Sequence, residues 1–266
     1  KARGNEHFKR KEFARAKAAY DEAIASDPGM ATAFCNRAGA RHHLRDYQGA
    51  EEDATRAIEI ETAYSKAYHR RAAARRALGK NADALSDYDS AIETASAGGG
   101  GSNTAAILLA NRAASRLKLG EYAAAREDAS EAIARDPKYV KAYHRRAAAR
   151  SGLKDFENAL EDYEVTTTAD PAVAAEASKD RGNALFKSGD FKAAEAAYTE
   201  AIAAVPASAA YLANRAAARL KLGDHVGAEL DASSAISIDP AHAKARHRRA
   251  IALVALGRHR DACEEY

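Results

Sequence analysis

The sequence predicts an all-α fold made of tandem 34-residue helix-turn-helix repeats. The first observation is that an Ala-Ile dipeptide recurs at a fixed place in the period, at positions 23, 57, 91, 132, 201 and 235. The intervals are 34 residues, 34 plus seven extra residues, or twice 34 plus one. The second observation is a Pro five residues after that Ala in four copies, at positions 28, 137, 206 and 240. A fixed period of this length is the signature of a repeat array, in which each repeat is one supersecondary unit.

Each period divides into two predicted helices joined by a short turn. The first helix ends where Gly suits a left-handed C-terminal cap, at Gly79, Gly120, Gly189 and Gly223. A turn with an aromatic residue follows, at Phe13, Tyr47, Tyr122, Phe156 and Phe191. The second helix then has a small residue where helices must approach closely, namely Ala16, Ala50, Ala84, Ala125, Ala159, Ala194 and Ala228. Four residues later, on the same helical face, stands a bulkier one in several copies: Tyr20, Tyr88, Tyr163 and Tyr198. Pro then ends the helix, because it disfavours the helical conformation in the residue before it.

A helix-turn-helix unit with these residues in this order resembles the tetratricopeptide repeat family over essentially the whole chain. The resemblance implies a right-handed superhelical α-solenoid whose first helices line a concave groove. We count seven repeats and an eighth that is cut short at Tyr266. The predicted segments are 1–98 (repeats one to three), a Gly-rich inserted loop at 99–105, 106–173 (repeats four and five) and 174–266 (repeats six to eight). One continuous superhelix and two modules hinged near Pro171-Ala172 both remain open.

Two sets of basic and amide residues recur on the first helices with identical spacings of 4, 31, 30 and 4 residues. Residues four apart on a helix project from one face, so each set concentrates donors on the groove side. The first set is Lys1, Asn5, Asn36, Lys66 and Arg70. The second set is Lys179, Asn183, Asn214, Lys244 and Arg248.

These two sets resemble the two-carboxylate clamp of tetratricopeptide co-chaperones, which grips the C-terminal Glu-Glu-Val-Asp tails of Hsp90 and Hsp70. The resemblance implies that Lys1, Asn5 and Asn36 hold the terminal carboxylate of the peptide. It further implies that Lys66 takes the side chain of the last aspartate and that Arg70 supports an upstream group. The second set has the same roles in the same order. Lys supplies charge, while an Asn amide donates a hydrogen bond without adding repulsion between cations.

A partial third set lies between them, at Asn111, Lys141 and Arg145. The residues that should complete it are His69 and Ala73, where Lys and Asn are required. The Ala removes a donor, and His is mostly neutral at pH 7. We therefore expect weak binding here, or none.

Composition bounds the other functions. The formal net charge is only +3, from 41 basic and 38 acidic residues, which argues against a non-specific nucleic-acid binder. The Arg that follows the clamp Arg in each His-Arg-Arg segment is expected to pair with the acidic second helices. Two distant cysteines and nine scattered histidines predict no metal site and no cofactor. We expect a cytoplasmic protein that is not an enzyme and does not bind nucleic acid or membranes.

Two other functions stay open as alternatives. One is a structural repeat scaffold inside a larger assembly, with a partner helix or segment in the groove and the clamp residues as remnants. The more distant one is an RNA-binding helical-repeat protein.

Overall fold

The structure is a computed structural model that describes residues 1–98, 101–169 and 171–265. In these ranges every regular element is an α-helix, and there are sixteen of them. Their bounds are α1 Ala2–Lys9, α2 Phe13–Ser26, α3 Ala31–His43, α4 Tyr47–Ile60, α5 Ser65–Ala77, α6 Asn81–Ala97, α7 Ser102–Leu119, α8 Tyr122–Arg135, α9 Val140–Gly152, α10 Phe156–Ala169, α11 Pro171–Ser188, α12 Phe191–Ala204, α13 Ala209–Leu222, α14 His225–Ile238, α15 Ala243–Ala255 and α16 His259–Cys263. The predicted all-α repeat fold is confirmed.

The chain forms two compact units, Lys1–Arg145 and Arg146–Tyr266, and the boundary lies inside α9. Pro171-Ala172, near which the sequence leaves a hinge open, is where α11 begins. In the first unit α1 packs on α2, α3 on α4, α5 on α6 and α7 on α8. In the second unit the corresponding pairs are α11 with α12, α13 with α14 and α15 with α16. These pairs match the predicted repeats.

The inserted loop is shorter than the predicted 99–105. α6 continues to Ala97 and α7 begins at Ser102, so residues 102–105 are helical, while Gly99 and Gly100 lie outside the described residues. α6 has 17 residues, compared with 14 in the second helices α2 and α4, and α7 has 18, compared with 13 in the first helices α3 and α5. Most of the seven surplus residues therefore lengthen two helices, because the stretch after Gly101 is rich in Ala, the strongest helix former.

Left-handed residues end the first helices as predicted. Gly79, Gly120, Gly189 and Gly223 have φ between 79° and 93°. Where the repeat has no Gly at this position, Lys11, Arg45 and Lys154 adopt φ of 60–64° instead. The aromatic residues that were predicted in the turn are helical instead, since each of them is the first residue of the second helix of its repeat.

The core consists of small residues at the helix crossings and tyrosines between them. The seven predicted alanines are at most 1% exposed, and Tyr20, Tyr88, Tyr163 and Tyr198 at most 2%. The alanines and the tyrosines are therefore buried, as the repeat pattern predicts.

In six repeats an arginine on the first helix pairs with an acidic residue sixteen positions later, which lies on the second helix in five of them and just beyond α16 in the last. The pairs and their distances are Arg37–Asp53 2.6 Å, Arg71–Asp87 2.7 Å, Arg112–Asp128 2.6 Å, Arg146–Asp162 2.7 Å, Arg215–Asp231 2.7 Å and Arg249–Glu265 2.7 Å. The expectation that the second Arg of each His-Arg-Arg segment pairs with an acidic second helix is confirmed. These arginines join helices within a repeat and are not available as a basic patch.

Within the described ranges, no helix combines the length and hydrophobicity that crossing a bilayer requires. The same ranges hold no cluster of three or more potential metal ligands.

Candidate functional site

The first groove is a cavity of about 240 Å³ in the first unit, between α1, α3 and α5 with α2 behind them. It brings together four of the five residues of the first set. Its lining residues are Asn5, Phe8, Lys9, Tyr20, Asn36, Lys66 and Arg70. Three of the seven are cations and none is a carboxylate, so the groove attracts anions.

A chain of hydrogen bonds fixes the amides of this groove. The Tyr20 hydroxyl donates to Asn5 Oδ1 at 2.8 Å, and Asn36 Nδ2 donates to the same oxygen at 3.0 Å. Lys66 Nζ in turn donates to Asn36 Oδ1 at 3.1 Å. Each amide oxygen is therefore satisfied inside the protein, and the Asn5 Nδ2 group makes no hydrogen bond within the described residues. The donors that remain line the cavity.

The Gly of the Lys-x-x-Gly-Asn motif has a packing function. A Cβ on Gly4 would lie 2.6 Å from Tyr20 Cε1, closer than real Cβ contacts come. Gly therefore lets the Tyr20 ring lie against α1, where its hydroxyl reaches Asn5. Gly182, Tyr198 and Asn183 repeat this arrangement, with the same 2.6 Å and a hydroxyl-to-Oδ1 distance of 2.9 Å.

Among the described residues, no carboxylate lies beside the positively charged Arg70 guanidinium. Its Nε is buried and makes no hydrogen bond, and its guanidinium carbon lies 6.0 Å from the centroid of the Phe8 ring. Gly39 lies beside this guanidinium, and a Cβ there would be 3.1 Å from the guanidinium carbon. A buried donor without a partner is costly, so an anionic ligand would relieve that cost. Lys1 is exposed and does not line the cavity, and its Nζ lies 3.5 Å from Thr32 Oγ1.

The second groove is a cavity of about 180 Å³ within the second unit. Its lining residues are Asn183, Phe186, Lys187, Tyr198, Asn214, Ala217 and Arg248. Six of them lie 178 positions after a lining residue of the first groove; the seventh, Ala217, occupies the position of Gly39. Asn214 Nδ2 donates to Asn183 Oδ1 at 3.3 Å, and Arg248 Nη1 donates to Asn214 Oδ1 at 3.4 Å. Burial lowers the pKa of Arg248.

The two lysines of the second set do not line this groove. Lys179 forms ion pairs with Glu176 and with Asp180, the latter at 2.9 Å. Burial of the amine opposes protonation, yet Asp180 and Glu176 outweigh it and raise the pKa of Lys179. Lys244 is exposed and makes no hydrogen bond or ion pair within the part of the chain that the structure describes.

The third set is incomplete in the structure as well. Asn111 Nδ2 lies 3.2 Å from His69 Nε2, and burial, with Arg70 nearby, lowers the pKa of His69 to about 4. The ring is therefore neutral at pH 7. The buried Tyr88 hydroxyl has no hydrogen-bond partner among the residues that the structure describes, because Ala73 stands where the other two grooves have Asn. Lys141 is exposed, and Arg145 Nη1 is 3.4 Å from His144 Nδ1.

Several lining residues are not among the predicted site residues: Phe8, Lys9 and Tyr20 in the first groove, and Phe186, Lys187, Tyr198 and Ala217 in the second. Phe8 and Lys9 lie one helical turn beyond Asn5, and Phe186 and Lys187 lie one turn beyond Asn183. The same spacing that joined Lys1 to Asn5 also places Lys9 on that face, so the signal was present.

The profile of the tetratricopeptide repeat family matches residues 1–68 and 179–243, which together make half of the chain. Both stretches contain parts of a groove. Among solved structures, the Cut9 and Hcn1 hetero-tetramer of the APC/C aligns with a TM-score of 0.76 at 14% identity, over 88% of this chain and 45% of that one. A tetratricopeptide repeat protein of Parabacteroides merdae aligns with a TM-score of 0.70 at 16% identity, over 94% of this chain and 96% of that one. These two share the fold.

Curated relatives match shorter segments. Serine/threonine-protein phosphatase 5 of Mus musculus is 42% identical over 90 residues, which is 34% of this chain and 18% of that protein. A DnaJ homolog subfamily C member 7 homolog of Dictyostelium discoideum is 33% identical over 34% of this chain and 17% of its own length. Stress-induced-phosphoprotein 1 of Caenorhabditis elegans is 34% identical over 26% of this chain and 21% of its own length. The matches thus span about a fifth of each relative.

Proposed function

The chain belongs to the tetratricopeptide repeat family of protein-binding scaffolds, and we propose that its grooves bind acidic C-terminal chain ends in the manner of a two-carboxylate clamp. The proposed ligands are the Glu-Glu-Val-Asp tails of Hsp90 and Hsp70. The protein would then act as a cytoplasmic co-chaperone without catalytic activity or a cofactor. Relatives that include a DnaJ homolog and a stress-induced phosphoprotein support this proposal.

The observation that carries the proposal is the charge of the first groove. Lys9, Lys66 and Arg70 surround two Asn side chains whose oxygens are already satisfied, and no carboxylate lines the cavity. A surface built only for stability would pair such cations, as the arginines that connect the two helices of each repeat are paired. Unpaired cations beside fixed amide donors are the arrangement that an anionic ligand needs.

A C-terminal aspartate offers two carboxylates a few ångström apart, so donors must reach it from different helices. In the first groove Asn5 comes from α1, Asn36 from α3 and Lys66 with Arg70 from α5. Charge-assisted hydrogen bonds of this kind contribute more than neutral ones. A short extended peptide held by one such groove should bind with micromolar affinity, about −8 kcal/mol, and the affinity should fall as salt screens the charges.

Titration of a labelled Glu-Glu-Val-Asp peptide, followed by fluorescence anisotropy, tests the proposal. The unmodified protein is compared with a variant that carries Asn36→Ala and Asn214→Ala, one change in each groove. We expect micromolar binding that the double variant loses by at least about tenfold. Lys80→Ala serves as the control, because Lys80 pairs with Glu51 outside both grooves. No binding by the unmodified protein, or equal loss in the control, would contradict the proposal and favour a groove reserved for a partner segment.

A further inference from the structure

The incomplete third set gathers side chains from α5, α6, α7 and α9 within the first unit. Asn111 Nδ2 of α7 lies 3.2 Å from His69 Nε2 of α5, and the ring centroids of His69 and Tyr88, on α6, are 6.1 Å apart. Arg76 lies seven residues after His69 and therefore on the same face of α5. Arg145 comes from α9. We call this arrangement the third groove and define it by His69, Arg76, Tyr88, Asn111 and Arg145.

The third groove has two arginines where the first groove has a phenylalanine and an arginine. Arg76 takes the place of Phe8 in the repeat, and Arg145 takes the place of Arg70. In the first groove the centroid of the Phe8 ring lies 6.0 Å from the guanidinium carbon of Arg70. The third groove thus puts a second cation where the first groove puts an aromatic ring.

The two guanidinium groups act on the same two tyrosine hydroxyls. Burial raises the pKa of Tyr88, while the charges of Arg76 and Arg145 oppose that rise. Burial also raises the pKa of Tyr139, and the same two arginines again oppose it. Because the interaction between charges weakens with distance, both guanidinium groups lie in one region of the third groove. The Tyr88 hydroxyl in that region is buried and has no hydrogen-bond partner among the described residues.

Positive charge dominates this region. Arg76 makes no hydrogen bond or ion pair with any residue that the structure describes, and the same is true of the exposed Lys141, one helical turn before Arg145. Of the nearby acidic residues, Asp87 is bound by two arginines of its own repeat. Asp136 accepts a hydrogen bond from the backbone N–H of residue 138. The charges of Arg76 and Lys141 are therefore available to a ligand.

The third groove keeps the cations of a clamp but not its pair of amides. Ala73 is partly exposed, and its small side chain leaves room where the other two grooves have Asn. The amide that remains, Asn111, already contacts His69. Two guanidinium groups in one region repel each other, and an anion between them would remove that repulsion. The groove is therefore suited to a compact and highly charged anion.

We infer that the third groove binds a phosphorylated side chain of a partner protein through Arg76, Lys141 and Arg145. A phosphate group on a side chain carries a charge of about −1.5 to −2 at pH 7, compared with −1 on a carboxylate, so three cations favour the phosphate. The planar guanidinium group of Arg also donates two parallel hydrogen bonds to phosphate oxygens. This inference goes beyond the proposed function and does not depend on it, because a phosphorylated side chain need not lie at a chain end.

A labelled peptide with one internal phosphoserine tests the inference by fluorescence anisotropy. The peptide is acetylated at its N-terminus and amidated at its C-terminus, which removes the terminal carboxylate that the other two grooves are proposed to hold. The same peptide with Ser or with Glu at that position serves for comparison. We expect the phosphoserine peptide to bind at least about tenfold more tightly than the Ser peptide and about threefold more tightly than the Glu peptide.

Arg76→Phe is the most informative variant, because the other two grooves have Phe at this place and the repeat accommodates it. It should weaken binding of the phosphoserine peptide by at least about fivefold. Lys141→Ala changes an exposed residue that does not belong to the core, and should weaken binding by about threefold. Arg126→Ala is the matched control, since it removes an exposed cation of α8 and should change the affinity by less than about twofold. N36A/N214A should likewise leave binding within about twofold.

Three results would overturn the inference. One is equal binding of the phosphoserine peptide and either comparison peptide. Another is unchanged binding of the phosphoserine peptide by both Arg76→Phe and Lys141→Ala. The last is a loss of binding in N36A/N214A alone, which would put the phosphate in one of the other two grooves. None of these results bears on chain-end binding, which the Glu-Glu-Val-Asp titration measures separately.

Discussion

Gly182→Ala tests whether the Gly of the Lys-x-x-Gly-Asn motif is needed for packing. Gly182 lies in the interior of α11, and a Cβ there would come within 2.6 Å of Tyr198 Cε1, 2.7 Å of Cδ1 and 3.0 Å of Cζ. Tyr198 is 2% exposed, so its ring has no room to retreat. Its hydroxyl also donates to Asn183, so a shift of the ring displaces the amide of the groove.

Two opposing effects set the change in the free energy of unfolding that Gly182→Ala should cause. Replacing Gly by Ala inside a helix ordinarily stabilises by about 1 kcal/mol. Forcing an extra methyl group into a packed core costs about 1–3 kcal/mol. With 2.6 Å to a buried ring, we take the middle of that range and expect a net loss of about 1 kcal/mol in the free energy of unfolding.

Urea unfolding followed by circular dichroism measures this change. Gly39→Ala is the matched control, because its Cβ would meet only the guanidinium end of Arg70, at 3.1–3.3 Å, which is flexible and can move aside. The control should be neutral or more stable by up to about 1 kcal/mol. If Gly182→Ala were stabilising as well, the packing function assigned to this Gly would be refuted.

Three further predictions concern the ion pairs, the tyrosine hydroxyls and one histidine. Asp87 is 2% exposed and paired with two arginines, so Asp87→Ala should lower the free energy of unfolding by about 3 kcal/mol, as measured with urea. Glu59→Ala breaks an exposed ion pair and should lower it by less than about 0.5 kcal/mol. Tyr198→Phe should lower the free energy of unfolding by about 1 kcal/mol, because it removes the hydrogen bond to Asn183. Tyr88→Phe should leave it unchanged, because the Tyr88 hydroxyl has no partner among the described residues. A loss of stability in both variants would contradict this assignment. The pKa of His69 is lowered from 6.5 to about 4, so the native state binds fewer protons than the unfolded state between these values, and stability should be full above pH 6.5 and fall as pH drops toward 4. Unfolding measured across that range should show a shallower decline for His69→Gln, and an identical decline would exclude the histidine as its cause.

The sequence predicted the repeats and their helices because the pattern is local. Each signal belongs to a single repeat: the small residues at a fixed spacing, the left-handed Gly and the terminal Pro. Periodicity alone was therefore enough to find them. The inserted loop was misjudged because its length was inferred by aligning repeats. That alignment shows how many residues are extra but not whether they extend α6 and α7.

The candidate site was only partly predictable for a different reason. Spacing placed Asn5, Asn36 and Lys66 on facing helices, and the structure brings them into one hydrogen-bonded chain. Spacing could not show that Lys179 is already paired, since that depends on which neighbouring side chains are acidic and on where each one turns. Two sets with identical motifs therefore proved unequal in their surroundings.

The most direct test of carboxylate binding is a comparison of one Glu-Glu-Val-Asp peptide with its C-terminal amide, both titrated against the unmodified protein. Amidation removes one negative charge and replaces an acceptor by a donor at the atom that Asn5 and Asn36 are proposed to hold. We predict that the amide binds at least about tenfold more weakly than the acid. Equal affinities for the acid and the amide would show that the grooves do not recognise a chain end.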